Sequence, residues 1–242
     1  SFWTDMHDSV FPPTAERATF GDYLTAGFGA HILPIVPPRA TISPQSELNA
    51  GKLGKTPGKW TPDGYVGFRA WPDHQASPAD IAHWDRWLGT KSPPSIALQG
   101  RAYPAVDIDV NDPVLAERLK ARVLQVAGPA PARHVSDATG KLRSRLALFY
   151  RSESPIAQWR VEFATRDGEV MMVEFKGDRT QVVAEGAHAK GGAYCYPDGR
   201  TPALWGADGL SLMSQDISIA VRAAVIAELE AAGCTITANS GG

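Results

Sequence analysis

Apolar and polar residues alternate along several short segments of this chain, a pattern typical of strands with one buried face. The alternation predicts strands at residues 31–37, 94–100, 104–110, 143–151, 159–168, 169–177 and 180–186. Apolar residues at helical spacing predict helices that begin near Thr19, Ser77, Asp112 and Ser214. Helices that flank a mainly antiparallel sheet indicate an α+β fold.

These predicted elements fill residues 19–233, which we assign to one domain. Residues 1–18 are expected to be an N-terminal extension, and the small polar residues 234–242 a frayed tail or linker. Residues 37–76 are rich in Pro, Gly, Lys and Trp, and they predict one extended loop. A loop of that length in a compact domain is usually functional or disordered.

The composition excludes some classes of function. With 43% hydrophobic and 21% charged residues the chain is ordinary for a globular protein, and its net charge of −2 means that a nucleic-acid partner would need a local basic surface. The two cysteines form no CxxC motif, so neither a zinc site nor a disulfide framework is expected. No apolar run approaches the roughly 20 residues that span a membrane, and no signal peptide is evident, so we expect a cytoplasmic protein without membrane partners.

Two aspartates stand out in the segment YPAVDIDVND at residues 103–112. If the apolar residues of this strand face a core, Asp107 and Asp109 share its other face. Two carboxylates so close repel each other, and a divalent cation is the obvious compensation. The alternative, which the residues alone leave open, is that the aspartates cap the turn that follows.

Glu174 interrupts a second apolar run and is either a third metal ligand or a solvent-facing residue. Three carboxylates would form an all-oxygen site suited to Mg²⁺ or Mn²⁺.

Candidate phosphate-binding residues lie in two further segments. His188 stands in a glycine-flanked loop, where it and Lys190 are either phosphate contacts or merely exposed. Arg143, Arg145 and Arg151 share one face of a predicted strand, which is either a phosphate-binding face or a solvated one.

Taken together, four stretches resemble the primase–polymerase domain of the archaeo-eukaryotic primase superfamily, particularly its phage and plasmid replication type, over about residues 20–205. The stretches are LTAGFGAHILPIVPP with GKTPGKW, SPADIAHWDRWL, PSIALQGRAYPAVDIDV, and VEFKGDRTQVVAEGAHAKGGAYCY. The last two carry the resemblance most specifically. It implies an archaeo-eukaryotic primase-like catalytic core at residues 19–233.

The resemblance also implies roles for single residues. Two Mg²⁺ or Mn²⁺ ions would be bound by Asp107, Asp109 and Glu174. His188 would contact the triphosphate of the incoming nucleotide, and Lys55 of GKTPGKW would lie near it. Many relatives carry a Ser-x-His pattern where this chain places Arg145. The resemblance therefore leaves open whether Arg145 or His188 binds the triphosphate.

The activity implied is DNA-templated addition of NTP or dNTP to a 3′-hydroxyl, as a primase or DNA polymerase in phage, plasmid or prophage replication. Single-stranded DNA would be the template, and a helicase domain often follows on the same polypeptide in this family. Three alternatives remain at this stage: a metal-dependent nuclease, a DxD glycosyltransferase, and a non-catalytic single-stranded DNA-binding module.

Overall fold

The computed structural model describes residues 17–241, which form five α-helices and two main β-sheets. The helices are α1 (Phe20–Thr25), α2 (Pro78–Trp87), α3 (Pro113–Ala127), α4 (Pro202–Trp205) and α5 (Gln215–Ala231). The strands are β1 (Ile32–Ile35), β2 (Gly58–Thr61), β3 (Gly64–Gly67), β4 (Ser95–Gln99), β5 (Ala105–Asp109), β6 (Ala132–Ser136), β7 (Leu142–Phe149), β8 (Trp159–Ala164), β9 (Val170–Lys176), β10 (Gln181–Glu185), β11 (Tyr194–Cys195) and β12 (Thr235–Gly241).

Seven antiparallel strands form the large sheet, in the order β11-β6-β7-β5-β9-β8-β12. Alternate residues of its central strands are buried in one cluster with side chains of α3 and α5, as the alternation predicted. Val106 and Ile108 of β5 belong to this cluster, so the aspartates between them point to the other face.

That other face is covered only in part. The small sheet, in the order β1-β4-β10, packs against Ala105, Ala147 and Phe149 of the large sheet in a second core. On the β8 side of the same face the side chains remain accessible, and Arg160 is exposed. Asp107 and Asp109 therefore lie where the covered part of the face meets the open part.

Local sequence signals position the helices as predicted. The hydroxyls of Thr19 and Ser77 accept hydrogen bonds from the backbone of Asp22 and Asp80, and both aspartates bond back to the cap residue. These capping boxes satisfy backbone donors that a helix start otherwise leaves unpaired. The α+β fold class with mainly antiparallel sheets is confirmed.

Four expectations about segments need correction. Residues 37–76 are not one extended loop, because they contain the β2–β3 hairpin. Residues 235–241 are not a frayed tail, because they pair with β8 as an edge strand. Strand β6 was not predicted, and Arg151 lies beyond the end of β7, where its Nε donates to the carbonyl of Leu210.

Residues 1–16 and 242 lie outside the described part, so most of the expected N-terminal extension does too. Within the described part, no helix is long and apolar enough to cross a membrane.

Candidate active site

The three candidate carboxylates lie on one face of adjacent strands. Asp107 of β5 is directly opposite Glu174 of β9 in the antiparallel register, and Asp109 is two residues further along β5. Directly opposed residues of an antiparallel pair project from the same face, so all three side chains leave the sheet on its partly open side. The structure thus brings together the residues that were predicted from separate segments.

Each carboxylate has a basic neighbour. Arg145 Nη1 is 2.8 Å from Asp109 Oδ1, whereas Lys176 Nζ and Arg160 Nη2 are 2.6 and 2.7 Å from the two oxygens of Glu174. Asp107 is the least compensated, since its nearest cation, Arg133 Nη2, is 4.0 Å away.

Among residues 17–241, no three acidic, histidine or cysteine side chains are arranged to hold a metal ion. The protein's own cations occupy the positions next to the carboxylates.

These environments shift the pKa values of the two opposed carboxyl groups, Asp107 and Glu174, in opposite directions. Burial raises the pKa of Asp107, with Asp109 and Glu174 adding to the rise and Arg133 and Lys176 opposing it. Burial also acts to raise the pKa of Glu174, but its bonds to Lys176 and Arg160 hold that pKa below its ordinary value. Asp107 is therefore the carboxylate that gains most from an additional cation.

His188 lies in a tight turn that we call the His188 loop, residues 187–193, which the pair Ala187–Ala193 closes. Its backbone N–H donates to Gly192 and its carbonyl accepts from Gly191, both at 3.1 Å. Gly191 and Gly192 have φ values of +86° and +75°, which glycine adopts without strain. The backbone N–H of Lys190 donates to His188 Nδ1 over 3.2 Å, so the proton of the neutral imidazole is on Nε2.

Three cationic side chains lie near enough to His188 to influence its pKa. Burial, followed by the charges of Lys55, Arg143 and Arg133, lowers the pKa of His188 to about 4. The ring is therefore neutral at physiological pH and presents an Nε2–H donor within a positive region.

Lys55 reaches this region because its loop packs on the His188 loop. A Cβ added to the neighbouring Gly54 would lie 2.9 Å from Ala189, and Gln181 Nε2 donates to the carbonyl of Lys55.

The remaining predicted residues separate into three groups. Arg145 contacts Asp109 and donates to the side chain of Asn111, so it belongs to the carboxylate side of the site. Arg143 lies on the His188 side, and Lys190 is an exposed residue of the His188 loop. Arg151 is not part of the site.

Sequence reasoning missed Arg133, which lies between the carboxylates and His188. Its side chain is only 8% exposed, and its guanidinium carbon lies 4.4 Å from the centre of the Tyr194 ring. The only local signal was a basic residue in the short segment ARHVS before a glycine turn, and this does not distinguish a buried arginine from a solvated one.

Comparison with protein families gives a match that covers most of the chain. Residues 22–204 match the family described as bifunctional DNA primase/polymerase, N-terminal (Prim-Pol). The chain belongs to the Prim-Pol family. The match contains every carboxylate and cation of the site described above, from Lys55 to Lys190. A comparison with curated protein sequences gave no match.

Membership in Prim-Pol confirms the resemblance seen in the sequence and indicates a DNA primase/polymerase activity in replication. It does not assign roles to single residues of this chain, and these are therefore argued from the geometry.

Proposed function

We propose that this Prim-Pol chain has an archaeo-eukaryotic primase-like catalytic core and is a DNA-templated nucleotidyltransferase that adds NTP or dNTP to a 3′-hydroxyl during phage, plasmid or prophage replication. One observation carries the proposal. Carboxylates that suit divalent cations lie on one face of the large sheet, and a group of cations that suits a triphosphate lies near them, with Arg133 between the two groups.

The carboxylate side fits Mg²⁺ or Mn²⁺ by its donor chemistry. Asp107 and Asp109 supply hard oxygen ligands from a rigid strand, and within residues 17–241 no side-chain cation lies closer to Asp107 than 4.0 Å. Lys176 and Arg160 already donate hydrogen bonds to the oxygens of Glu174, and their positive charges oppose the binding of a metal ion there. Asp107, Asp109 and Glu174 would hold two such ions, which would supply activation of the attacking 3′-hydroxyl and charge stabilisation for the leaving pyrophosphate.

The cation side fits a triphosphate. The Nε2–H of neutral His188 donates a hydrogen bond to a phosphate oxygen, and Lys55 and Arg143 supply positive charge from two neighbouring segments. In phosphoryl and nucleotidyl transfer the protein contributes mainly by positioning groups and stabilising charge, which needs no protein nucleophile.

Arg145 has two partners available to it. In the structure it neutralises Asp109 at 2.8 Å. A cation bound at Asp109 would release its guanidinium, which then contacts either the triphosphate or the backbone of single-stranded DNA. Such a release would allow Arg145 to take the role of the histidine in the Ser-x-His pattern.

The test is incubation of the protein with primed and unprimed single-stranded DNA, Mg²⁺ or Mn²⁺, and labelled NTPs or dNTPs. We expect extension or new primers with the wild-type chain and none with Asp107→Asn. Asp73→Asn is the matched control, because Asp73 forms an exposed ion pair with Arg179 away from the site.

Other outcomes identify the alternatives. Metal-dependent shortening of the DNA without need for nucleotides would indicate a nuclease. DNA binding that survives loss of all three carboxylates, with no incorporation under any condition, would indicate a non-catalytic module. Turnover of a nucleotide sugar in place of a primed template would indicate a DxD glycosyltransferase.

A further inference from the structure

We infer that Arg133 is a positioning residue that holds the metal-binding carboxylate Asp107 and the triphosphate-binding His188 loop at a fixed separation. This inference rests on the proposed function and assigns a role to a residue that the sequence did not indicate.

Strand register places Arg133 in line with the carboxylates. Arg133 of β6 is directly opposite Ala147 of β7, and Ala147 is directly opposite Asp107 of β5. All three side chains project from the same face. Because the residue between them is an alanine, the long arginine side chain extends across β7 until its Nη2 is 4.0 Å from Asp107 Oδ1.

The same guanidinium makes two contacts outside the large sheet. Its Nη1 donates to the backbone carbonyl of Val183 in β10, beside the irregularity where the register of β10 shifts. Its flat face lies over the ring of Tyr194, at 4.4 Å from the centre. Tyr194 in turn contacts the His188 ring edge to face, with ring centres 5.4 Å apart. One side chain thus connects Asp107, the small sheet and the ring that supports His188.

Stability alone does not account for this arginine. Its Nε is buried without a hydrogen-bond partner in the described chain, and its distance to Asp107 is long for an ion pair. Burying a charged group with incomplete bonding is costly, and apolar residues of similar size often replace such groups without loss of stability. An arginine at this position is therefore better explained by what it positions than by what it stabilises.

The consequence for the reaction is geometric. A nucleotide must contact the metal ions at Asp107 and the hydrogen-bond donors of the His188 loop at the same time. A small change in the distance between these two groups lowers the rate strongly. A rigid planar side chain that contacts both halves limits this separation. Lysine keeps the charge, but it has no planar group to place on Tyr194 while it bonds to Val183.

The experiment measures binding of ATP and of dATP in MnCl₂ by calorimetry, without DNA, for Arg133→Met, His188→Ala and the double variant. Arg122→Met, on α3 behind the opposite sheet face, is the control. We expect a loss of affinity of roughly ten-fold or more for each single variant. The double variant should bind about as weakly as His188→Ala alone, because Arg133 acts on the nucleotide through Tyr194 and His188.

If Arg133→Met does not melt cooperatively, the same set of binding measurements is repeated with Arg133→Lys. Lysine keeps the positive charge at this position. We expect it to recover part of the affinity and to remain coupled to His188. For steady-state incorporation, Arg133→Met should lower kcat and raise KM, whereas His188→Ala should mainly raise KM.

Two results would overturn the inference while leaving the proposed function intact. One is a folded position-133 variant that binds nucleotide like the wild type. The other is a double variant whose loss equals the product of the two single losses. Failure of the wild-type chain to bind either nucleotide or to incorporate any would instead overturn the proposed function itself, and this inference with it.

Discussion

Replacing Lys176 by methionine is expected to tighten Mn²⁺ binding, because Lys176 competes with a metal ion for Glu174. Lys176 Nζ lies 2.6 Å from Glu174 Oε2, and the two side chains are 25% and 15% exposed. Methionine has a similar length and removes only the charge and its bond. If Glu174 is a metal ligand, the bond and charge of Lys176 oppose metal binding in the wild type. In the Lys176→Met variant that opposition is absent.

The size of the effect follows from the contacts of Glu174. A hydrogen bond to a charged group contributes roughly 1.5–3 kcal/mol. Arg160 still bonds to the other oxygen at 2.7 Å and takes up part of the freed charge. A net gain of about 1–2 kcal/mol remains, which corresponds to an affinity for Mn²⁺ higher by about five- to thirty-fold.

The assay is direct Mn²⁺ titration, followed by electron paramagnetic resonance of the free ion, with no DNA or nucleotide present. Lys120→Met is a matched control, because Lys120 is 26% exposed and pairs with Glu117 on α3, away from the site. Glu174→Gln should shift the titration in the opposite direction, toward weaker binding. If Lys176→Met and Glu174→Gln both leave the titration unchanged, Glu174 is not a metal ligand and its role is to hold Lys176 and Arg160.

Further predictions concern the other site residues. Asp107→Asn or Asp109→Asn should abolish nucleotide incorporation while changing the free energy of unfolding by about 1 kcal/mol or less, which denaturant titration beside the activity assay will check. His188→Ala should raise the nucleotide KM by roughly ten- to a hundred-fold with DNA affinity preserved, and loss of DNA binding instead would place the triphosphate elsewhere. Arg145→Ala should weaken nucleotide binding and also flatten the salt dependence of DNA binding, so an unchanged salt slope would remove it from the DNA path. The pKa of Glu174 in the folded chain lies below its ordinary value of 4.5, so its contribution to stability is present above that value and is lost as the pH falls through the folded pKa. The melting temperature of Glu174→Gln should therefore fall less steeply below about pH 4.5 than that of the wild type, and equal slopes would contradict the assignment.

Local pattern was sufficient where one segment carries the information. Alternation alone predicted that Asp107 and Asp109 leave β5 on the face opposite Val106 and Ile108, and the structure confirms this. The start of α2 was likewise predicted from Ser77 and the residues that follow, because a capping box is formed within a single turn.

Segments with weak local signals were misjudged for a common reason. The β2–β3 hairpin has strands of four residues that begin and end with glycine or threonine, and it is held by pairing across the turn. Strand β12 begins with residues of high strand propensity at 235–237 but continues with small and polar residues, and its conformation comes from pairing with β8. A strand at the edge of an existing sheet receives its hydrogen bonds from a partner that lies far away in sequence.

The sequence by itself determined which face the candidate residues of β5, β7 and β9 occupy, since side-chain direction in a strand alternates with a period of two. Only the tertiary structure decided which faces meet. Glu174 is opposite Asp107 because β9 pairs with β5 in one particular register, and Arg133 reaches Asp107 because β6, β7 and β5 are neighbours and Ala147 leaves room. Strand order and register arise from packing between distant segments, and the charges that neutralise each carboxylate follow from them.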